Sequence, residues 1–369
     1  MARPVRKSVP AKGAKPPPCP LEQEKARVAR EASRREHIAA VRELAFRDFL
    51  ADLVRQNARP LPPLPPPVQP RPSSRKPAER HALLPLHDWH FEETVRPESV
   101  NGLNDYGIPQ ACRRVWRVVE AACAWKADRE AGGRCRVPLL VVPLLGDMVT
   151  GTLHGLERHS RAPNVVRAAI ACGDLIALAL RRLASVFPRV EVECVSGNHG
   201  RLPDDRRVPS KDPTRSWDYL AYSVARRRLE GQKNISWHIP DSYGVLFQVA
   251  GWQCYAAHGN FIPQAMGIVG YGIRRFASNL AANLGAAGKP LKYAFFGHFH
   301  QSNAAEFAGI EAFIGPSLIG TQEYSYLSGG AVNRAAQELH VFDRELGHVA
   351  RERLYADGPG FPGTFEIEV

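Results

Sequence analysis

Cysteine pairs at metal-binding or redox spacing are absent from this chain of 369 residues. Its seven cysteines are Cys19, Cys112, Cys123, Cys135, Cys172, Cys194 and Cys254. The number is odd, the spacing is wide and no CxxC pair occurs, which argues against a disulfide framework and against a cysteine-rich zinc site. Reduced cysteines scattered through apolar segments are typical of cytoplasmic proteins.

Long apolar runs are also lacking. The longest, residues 137–145, is shorter than a membrane span and is interrupted by Pro138 and Pro143. The first twenty residues are basic but lack the apolar region of a secretory signal. We therefore expect a cytoplasmic protein with no membrane association. A hydrophobic content of 44% is enough for a sizeable core, which excludes a wholly disordered chain.

The net charge of +12 is concentrated at the start of the chain. Residues 1–80 contain 18 basic and 8 acidic residues, a net charge of +10, and 15 of the 31 prolines. Residues 81–369 contain 31 basic and 29 acidic residues, a net charge of +2. The sequence therefore predicts a basic, proline-rich arm over 1–80 and a nearly neutral globular domain over 81–369, which argues against a domain that coats nucleic acid with its whole surface.

The arm divides into three segments. Residues 1–20 are basic and proline-rich, which predicts disorder. From about 21 to 57, apolar residues recur at three- and four-residue spacing, which predicts an amphipathic helix. Residues 58–80 contain too many prolines for a helix, so we expect a polyproline II spacer. The arginines of the helix either contact nucleic acid or a partner helix, or are solvated while the helix packs on the globular domain.

Segments typical of strands and helices alternate through the rest of the chain. Apolar, strand-like runs lie at 81–86, 137–145, 190–195, 243–250, 252–257 and 292–296, and helical patterns at 109–129, 163–186, 214–230 and 263–284. Short strand-like runs follow at 304–307, 311–314, 337–342 and 349–355. This alternation predicts an α/β domain in which helices cover a sandwich of two sheets.

Polar residues follow five of the apolar runs. They are Asp88 and His90, Asp147, Asn198 and His199, His258, and His298 and His300. Ligands of open α/β sheets bind beyond the carboxyl ends of the strands, so we expect these side chains at one rim. Each motif alone is weak, since a Gly-Asp pair also occurs at 173–174, where a helical pattern favours a structural role for Asp174. The ordered set of five is specific.

The residue types indicate a metal site. Carboxylates and imidazoles without thiolates suit borderline divalent ions such as Mn²⁺, Fe²⁺ or Zn²⁺ rather than Ca²⁺. Alternate residues of a strand lie on the same side, so Asp88 and His90 are expected to converge on one ion, and His298 and His300 share that spacing. The ligands are too many for one tetrahedral site, which favours two ions about 3.5–4 Å apart with a carboxylate bridge.

With these motifs in this order, residues 82–345 resemble the calcineurin-like metallophosphoesterase superfamily, and in particular its phage-type DNA-repair exonuclease group. The motifs that carry the resemblance are Asp88-Trp-His90, Gly146-Asp147, Gly197-Asn198-His199, His258 and Gly297-His298-Phe-His300. Less specific support comes from residues 104–106, 216–220, 316–320 and 323–324. The resemblance implies a four-layer α/β/β/α sandwich that follows the helical, proline-rich arm.

The resemblance also implies a role for each residue. Asp88, His90 and His300 would bind a first divalent ion, Asp147 would bridge, and Asn198, His258 and His298 would bind the second. His199 would be the catalytic residue that stabilises the transition state or protonates the leaving oxygen. Mn²⁺ is the expected metal, with Fe²⁺, Zn²⁺ and Mg²⁺ as alternatives.

We accordingly expect a hydrolase, namely a two-metal phosphodiesterase or nuclease that cleaves DNA by attack of a metal hydroxide on phosphorus. A phosphatase or a small-molecule phosphodiesterase is one alternative, because the same fold hosts these activities. A protein that assembles with a partner through residues 1–80 is another. The expected partners are nucleic acid and, through the arm, a protein, in a bacterial or phage-infected cell.

Some positions depart from the family pattern without removing a ligand. Gly200 and Arg201 follow the Gly-Asn-His motif where relatives often have an acid, and Asn260 stands where relatives have Asp. Phe-Glu-Glu follows His90 in place of Leu-Gly. Arg201 is predicted to hold a substrate phosphate. Further candidates for that role are Arg206, Arg207, Lys211 and Arg215, in a loop whose aspartates also favour a simply solvated segment.

Overall fold

The computed structural model describes residues 77–151, 164–202, 212–263, 268–358 and 360–367, and part of a helix between residues 22 and 45. The chain divides into two units, residues 1–71 and 72–369. In the first unit, residues 27–38 are helical, within the helix predicted at 21–57. The predicted disordered start and most of the proline-rich spacer lie outside the described residues. Those two interpretations, and a domain boundary at residue 80, stay predictions.

Six strands form the first sheet. They are β1 (Ala78–Leu83), β2 (Cys135–Leu144), β3 (Arg189–Cys194), β4 (Ile235–His238), β10 (Ala336–Asp343) and β11 (Gly347–Tyr355). Their order is β11-β10-β1-β2-β3-β4. Strands β1 to β4 are parallel, and β10 and β11 extend the sheet in antiparallel fashion. The carboxyl ends of β1, β2 and β3 therefore lie along one edge.

Five strands form the second sheet. They are β5 (Gly244–Val249), β6 (Trp252–Ala257), β7 (Tyr293–Phe296), β8 (Asn303–Phe307) and β9 (Ile310–Ile314), in the order β5-β6-β7-β9-β8. Strands β6, β7 and β9 are parallel, while β5 and β8 pair antiparallel at the two edges. The carboxyl ends of β6 and β7 thus share one edge as well.

Helices connect the strands. They are α1 (Ile108–Glu130), α2 (Val165–Ala184), α3 (Trp217–Arg228), α4 (Val269–Ala286) and the short α5 (Glu323–Gly329), and a 3-10 turn covers Pro97–Val100. The start of α2 is fixed by Asn164, whose side chain accepts a hydrogen bond from Val166 N at 2.7 Å. Ser216 caps α3 in the same way through Asp218 N, at 3.2 Å.

Three apolar clusters separate four layers. Leu140 packs among the residues of α1, α2 and α3, whereas its neighbour Val141 packs against the second sheet. In the second sheet Phe295 faces the first sheet, and Phe296 faces Ile273 of α4. Neighbouring residues of a strand point to opposite faces, so each sheet is covered on both sides. The predicted four-layer α/β/β/α sandwich is confirmed.

The strands and helices predicted for the globular domain are present, with ends that differ by a few residues. Strand β4, helix α5 and the 3-10 turn were not predicted. Ile235–His238 is not an apolar run, and the helix and the turn are too short to show a helical period. Among the helices of the described segments, none has the length and apolarity needed to cross a membrane.

Candidate metal centre

The eight side chains named from the sequence lie at the carboxyl ends of five strands. Asp88 and His90 follow β1, Asp147 follows β2, Asn198 and His199 follow β3, His258 follows β6, and His298 and His300 follow β7. Three sets have their candidate ligand atoms within 4.8 Å of one another: Asp88, His90 and His300; His90, Asp147 and His199; and Asp147, His258 and His298. Shared members join the three sets into one cluster between the two sheets.

The backbone of the cluster is left-handed at five of these residues. The φ angles of Asp88, His90, Asp147, His298 and His300 lie between 47° and 68°. Strand β1 ends at Leu83, so Asp88 and His90 converge through this turn geometry and not through the strand alternation that the sequence suggested. Left-handed residues other than glycine cost about 1–3 kcal/mol each and persist where the surrounding structure holds them in place.

Asp88 is the centre of the first set. Its Oδ2 accepts a hydrogen bond from His298 N at 2.8 Å and lies 2.7 Å from His87 Nδ1. Its Oδ1 is 3.5 Å from His300 Nε2, too far for a well-formed hydrogen bond. One carboxylate oxygen is therefore held by the protein, while the other faces the cluster.

His90 is held by its outer nitrogen. Nδ1 lies 3.2 Å from Thr150 Oγ1 and 3.4 Å from Glu93 Oε2. Glu93 Oε2 in turn accepts a hydrogen bond from Gln322 Nε2 at 2.9 Å. Partners at the outer nitrogen orient a histidine so that its other nitrogen points at an ion. The sequence analysis mentioned Glu93 only where the chain differs from the family pattern, and nothing in the sequence indicated that Gln322 contributes to the site.

Asp147, which follows β2 of the first sheet, belongs to both the second and the third set. Its Oδ2 lies 2.8 Å from His258 Nε2, and its Oδ1 accepts a hydrogen bond from His199 N at 2.8 Å. Asn198 enters the cluster through its Oδ1, which is 3.1 Å from the same His258 nitrogen. His258 Nδ1, on the far side of the ring, lies 2.8 Å from Leu145 O. The amide oxygen, the carboxylate and the imidazole nitrogen thus converge.

Three of the histidines form the solvent side of the cluster. His199, His298 and His300 are half-buried, whereas the aspartates, His90 and His258 are buried. The ring of His199 lies 4.7 Å from that of His90, measured between centroids. A substrate that reaches the cluster therefore meets imidazoles first.

Burial and charge shift the pKa values of the cluster in opposite directions. Burial lowers the pKa of His90, and it lowers that of His298 to about 3. Burial also opposes a proton on His258, but Asp147 outweighs it and raises that pKa to about 9. Burial alone would raise the pKa of Asp147, yet His258 and other neighbouring histidines hold it below its usual range. A cation that takes the His258 nitrogen must therefore displace a proton.

Asp218, at the start of α3, braces the loops that follow β2 and β3. Its Oδ2 accepts hydrogen bonds from Asp147 N at 3.1 Å and Gly197 N at 2.9 Å, and its Oδ1 from Met148 N at 3.0 Å. The side chain is fully buried, which together with the nearby Asp147 charge raises its pKa to about 6. The sequence analysis placed Asp218 in a supporting segment and assigned it no role.

Two glycines let these loops approach each other. A Cβ on Gly146 would lie 2.1 Å from Gly197 N, and a Cβ on Gly197 would lie 2.1 Å from Asp147 Oδ1. Gly146 also has a φ of +87°. The Gly-Asp and Gly-Asn-His motifs therefore need glycine because backbone and carboxylate meet at contact distance.

The residues fit divalent cations. Asp88 Oδ1 and His90 Nε2 are buried, and neither has a hydrogen-bond partner in the described parts of the chain. Buried polar atoms of this kind are normally paired, and both carry a lone pair that a cation accepts. The donor set of carboxylate, amide and imidazole suits Mn²⁺, Fe²⁺ or Zn²⁺.

The other charged residues singled out from the sequence are not among the candidate ligands. Arg201 donates from Nε to Asn198 O at 3.0 Å and is half-buried beside the cluster. Its predicted contact with a substrate phosphate stays a prediction. Asp174 lies on α2, where both carboxylate oxygens pair with Arg228 at 2.7 and 3.1 Å. Arg206, Arg207 and Lys211 lie outside the described residues.

Known structures resemble the chain distantly. A predicted phosphoesterase from Streptococcus pneumoniae has 10% identity and a TM-score of 0.33, and the match covers 78% of this chain and 97% of that one. An archaeal phosphodiesterase has 9% identity and a TM-score of 0.32, with coverages of 74% and 99%. Vps29 from Entamoeba histolytica, complexed with Zn²⁺, has 14% identity and a TM-score of 0.32, with coverages of 75% and 99%. No protein-family model and no curated protein matches the chain.

Proposed function

We propose that this protein is a two-metal phosphoesterase of the calcineurin-like superfamily and that it hydrolyses phosphodiester bonds in DNA. The observation that carries the proposal is the joined set of candidate ligands between the two sheets, with Asp147 shared by two of its three groups.

The chain offers two places for an ion. Asp88, His90 and His300 would hold one, and Asn198, His258 and His298 the other, with Asp147 between them. Divalent ions supply positive charge that polarises a phosphoryl oxygen and makes bound water a stronger nucleophile. The protein contributes the positions of these donors, which the left-handed turns and Asp218 help to fix.

His199 is the residue best placed to handle a proton. Its backbone is tied to Asp147 Oδ1, and its ring stands beside His90 on the solvent side of the cluster. From that position it can donate a proton to the leaving ester oxygen or stabilise charge on phosphorus. The basic arm over residues 1–80, with its net charge of +10, favours a polyanionic substrate.

Hydrolysis of a substrate series tests the proposal. The series is single- and double-stranded DNA, an activated aryl phosphodiester and the matching aryl phosphomonoester, each with Mn²⁺, Zn²⁺, Mg²⁺ and EDTA. We expect metal-dependent cleavage of DNA and of the diester. The variant His199→Ala should lower kcat by about 10²–10⁴-fold while metal binding by calorimetry is retained.

A matched control is His238→Ala. It removes an exposed histidine of β4 that pairs with Glu193 of β3 and is not among the candidate ligands. Its kcat should equal that of the wild type. Absence of diester and DNA cleavage with every metal would contradict the proposal. Cleavage of the monoester alone would leave a phosphoesterase and reject DNA as the substrate.

A further inference from the structure

The segment that follows the second-sheet ligands carries an unusual charge pattern. From His258 to Lys292 the chain contains Arg274, Arg275, Lys289 and Lys292 and no acidic residue. The globular domain as a whole is nearly balanced, with 31 basic and 29 acidic residues. A helix in a balanced domain normally carries charges of both signs, so this one-sided segment favours contact with an anion.

A groove runs along the helix of this segment. It encloses about 300 Å³ and is lined by Pro263, Tyr271, Arg275, Phe276, Asn279 and Asn283, among others. The helical lining residues span positions 271 to 283 of α4, a distance of about 18 Å at 1.5 Å per residue. The Tyr271 side chain is about half exposed, at 53%, and Arg275 is exposed. The groove thus combines an open aromatic ring, a cation and amide side chains.

One end of the groove lies on the chain segment that leaves the metal centre. Pro263 lies five residues after His258, which is a distance of at most about 18 Å along the chain. Between them, Ile262 N donates to Gly259 O at 2.9 Å, and Phe261 is 48% exposed. Pro263 O lies 2.2 Å from where a Cβ on Gly272 would be, so α4 packs directly on this connection. Phe261 and Tyr271 are thus exposed aromatic residues on the segment and helix that follow His258.

We propose that this groove binds a single strand of DNA next to the scissile phosphate, with bases stacked on Tyr271 and phosphates paired with Arg275 in the groove and with the exposed Arg274 beside it. The proposal rests on the function proposed above and names the form of its substrate. Aromatic platforms in a basic groove bind single strands, because every base offers a face for stacking. A duplex keeps its bases stacked inside and offers no such face.

Binding in EDTA separates the groove from the chemistry. The probe is a fluorescently labelled thymidine oligonucleotide of twelve residues, and its anisotropy is measured with the full-length protein over a range of salt concentrations. Tyr271→Ala should weaken binding by roughly 5- to 150-fold, the range that corresponds to losing one base–aromatic stack. The pair Arg274→Ala and Arg275→Ala should make the salt dependence shallower, by up to about 1.4 in the slope of log affinity against log salt.

Matched controls lie on other elements. Tyr355→Ala removes a tyrosine that is 43% exposed on β11, and Arg226→Ala removes an exposed arginine in the last turn of α3. Both should bind the oligonucleotide like the wild type. All variants should keep the wild-type melting temperature and rate of hydrolysis of the aryl diester, which is too small to reach the groove.

The outcomes are distinguishable. If Tyr271→Ala and the arginine double variant bind the oligonucleotide like the wild type, the groove is not its binding site, whether or not the protein cleaves diesters. Competition by duplex DNA as strong as by single strands, at equal phosphate concentration, would overturn the single-strand assignment. Weaker binding by these variants, in a protein that cleaves no diester, would reject the proposed function and leave the groove as a binding site.

Discussion

The two sheets bring different chemistry to the metal centre. The first sheet supplies both aspartates and the asparagine, and its loops are braced by the buried carboxylate of Asp218. The second sheet supplies histidines, and the chain that follows His258 contains no acidic residue up to Lys292. The negative charge that attracts cations thus comes from one side. On the other side, the segment from His258 to Lys292 carries no carboxylate and suits the approach of a phosphate.

Asp147 connects the two sides, so its replacement should have the largest effect. Asp147→Asn removes the carboxylate that touches His199 N and His258 Nε2 at once. We expect Mn²⁺ affinity by calorimetry to fall by at least about 100-fold, beyond the 10- to 100-fold typical of an orienting residue. Asp174→Asn, the same change at the other Gly-Asp pair, should leave affinity unchanged. Equal affinity in both variants would contradict the link.

A substitution of Asp218 changes only the loops of the first sheet. In Asp218→Asn an amide NH2 group replaces one carboxylate oxygen and cannot accept a hydrogen bond. Either the N–H groups of Asp147 and Gly197 or that of Met148 therefore lose their acceptor. We expect the ion near Asp147 and Asn198 to bind about 10- to 100-fold more weakly, while the ion near Asp88 and His300 keeps its affinity. Calorimetric titration with two resolvable sites measures this. An equal loss at both sites would mean that Asp218 acts on the fold as a whole.

Two histidines near the contact between the sheets should make the free energy of unfolding depend on pH. His340 is buried there against Phe295 and Phe313, with ring centroids 5.0 and 4.8 Å away, and its Nδ1 lies 3.1 Å from His348 Nε2. Burial lowers the pKa of His340 far below its usual value, and burial and Arg351 lower that of His348 to about 4. Glu311, 3.5 Å from His348, is the acid that faces the pair.

A lowered histidine pKa means that the unfolded chain binds more protons below about pH 6.5. The free energy of unfolding is then highest above that pH. It falls towards pH 4 by up to about 1.4 kcal/mol per pH unit for each histidine. Urea unfolding in EDTA between pH 4.5 and 8 measures the fall. In His340→Leu the free energy of unfolding should fall less steeply with decreasing pH than in the wild type. The histidines of the metal centre are present in both proteins, so their contribution cancels in the difference between the two curves. Parallel curves would contradict the assignment.

Arg201 should give the smallest effect. Its Nε is engaged by Asn198 O, which leaves the terminal guanidinium nitrogens for a substrate phosphate. We expect Arg201→Ala to raise KM for DNA several-fold with kcat within a factor of two, since an exposed ion pair is worth up to about 1 kcal/mol. Steady-state kinetics decide the matter, and unchanged KM and kcat would remove Arg201 from the site.

Much of the fold was accessible from the sequence because its signals are local. Buried parallel strands appear as apolar runs, and the polar residues that follow them mark one edge of each sheet. The convergence of Asp88, Asp147 and His258 was expected for that reason. The amphipathic pattern of α1, α2 and α4 likewise predicted helices that cover the sheets.

The remaining features depend on contacts between distant segments. Asp218 accepts an amide proton from a residue 71 positions earlier, and Gln322 reaches Glu93 across 229 positions. No spacing rule connects such pairs. The left-handed turns at Asp88 and His90 were also missed. Aspartate and histidine adopt left-handed backbone more often than most residues, but the sequence analysis continued the strand alternation through both positions.

The left-handed turns have a consequence for the thermodynamics of metal uptake. Their conformational cost is met when the chain folds, so an incoming ion has no loop to order. Calorimetry should therefore find a small heat-capacity change on Mn²⁺ binding, and the circular dichroism of the metal-free protein should match that of the loaded form. Zinc fingers behave in the opposite way, since they fold only as they bind. In the proposed metal centre the same turns would hold the ligands with and without ions, so metal exchange would not require unfolding.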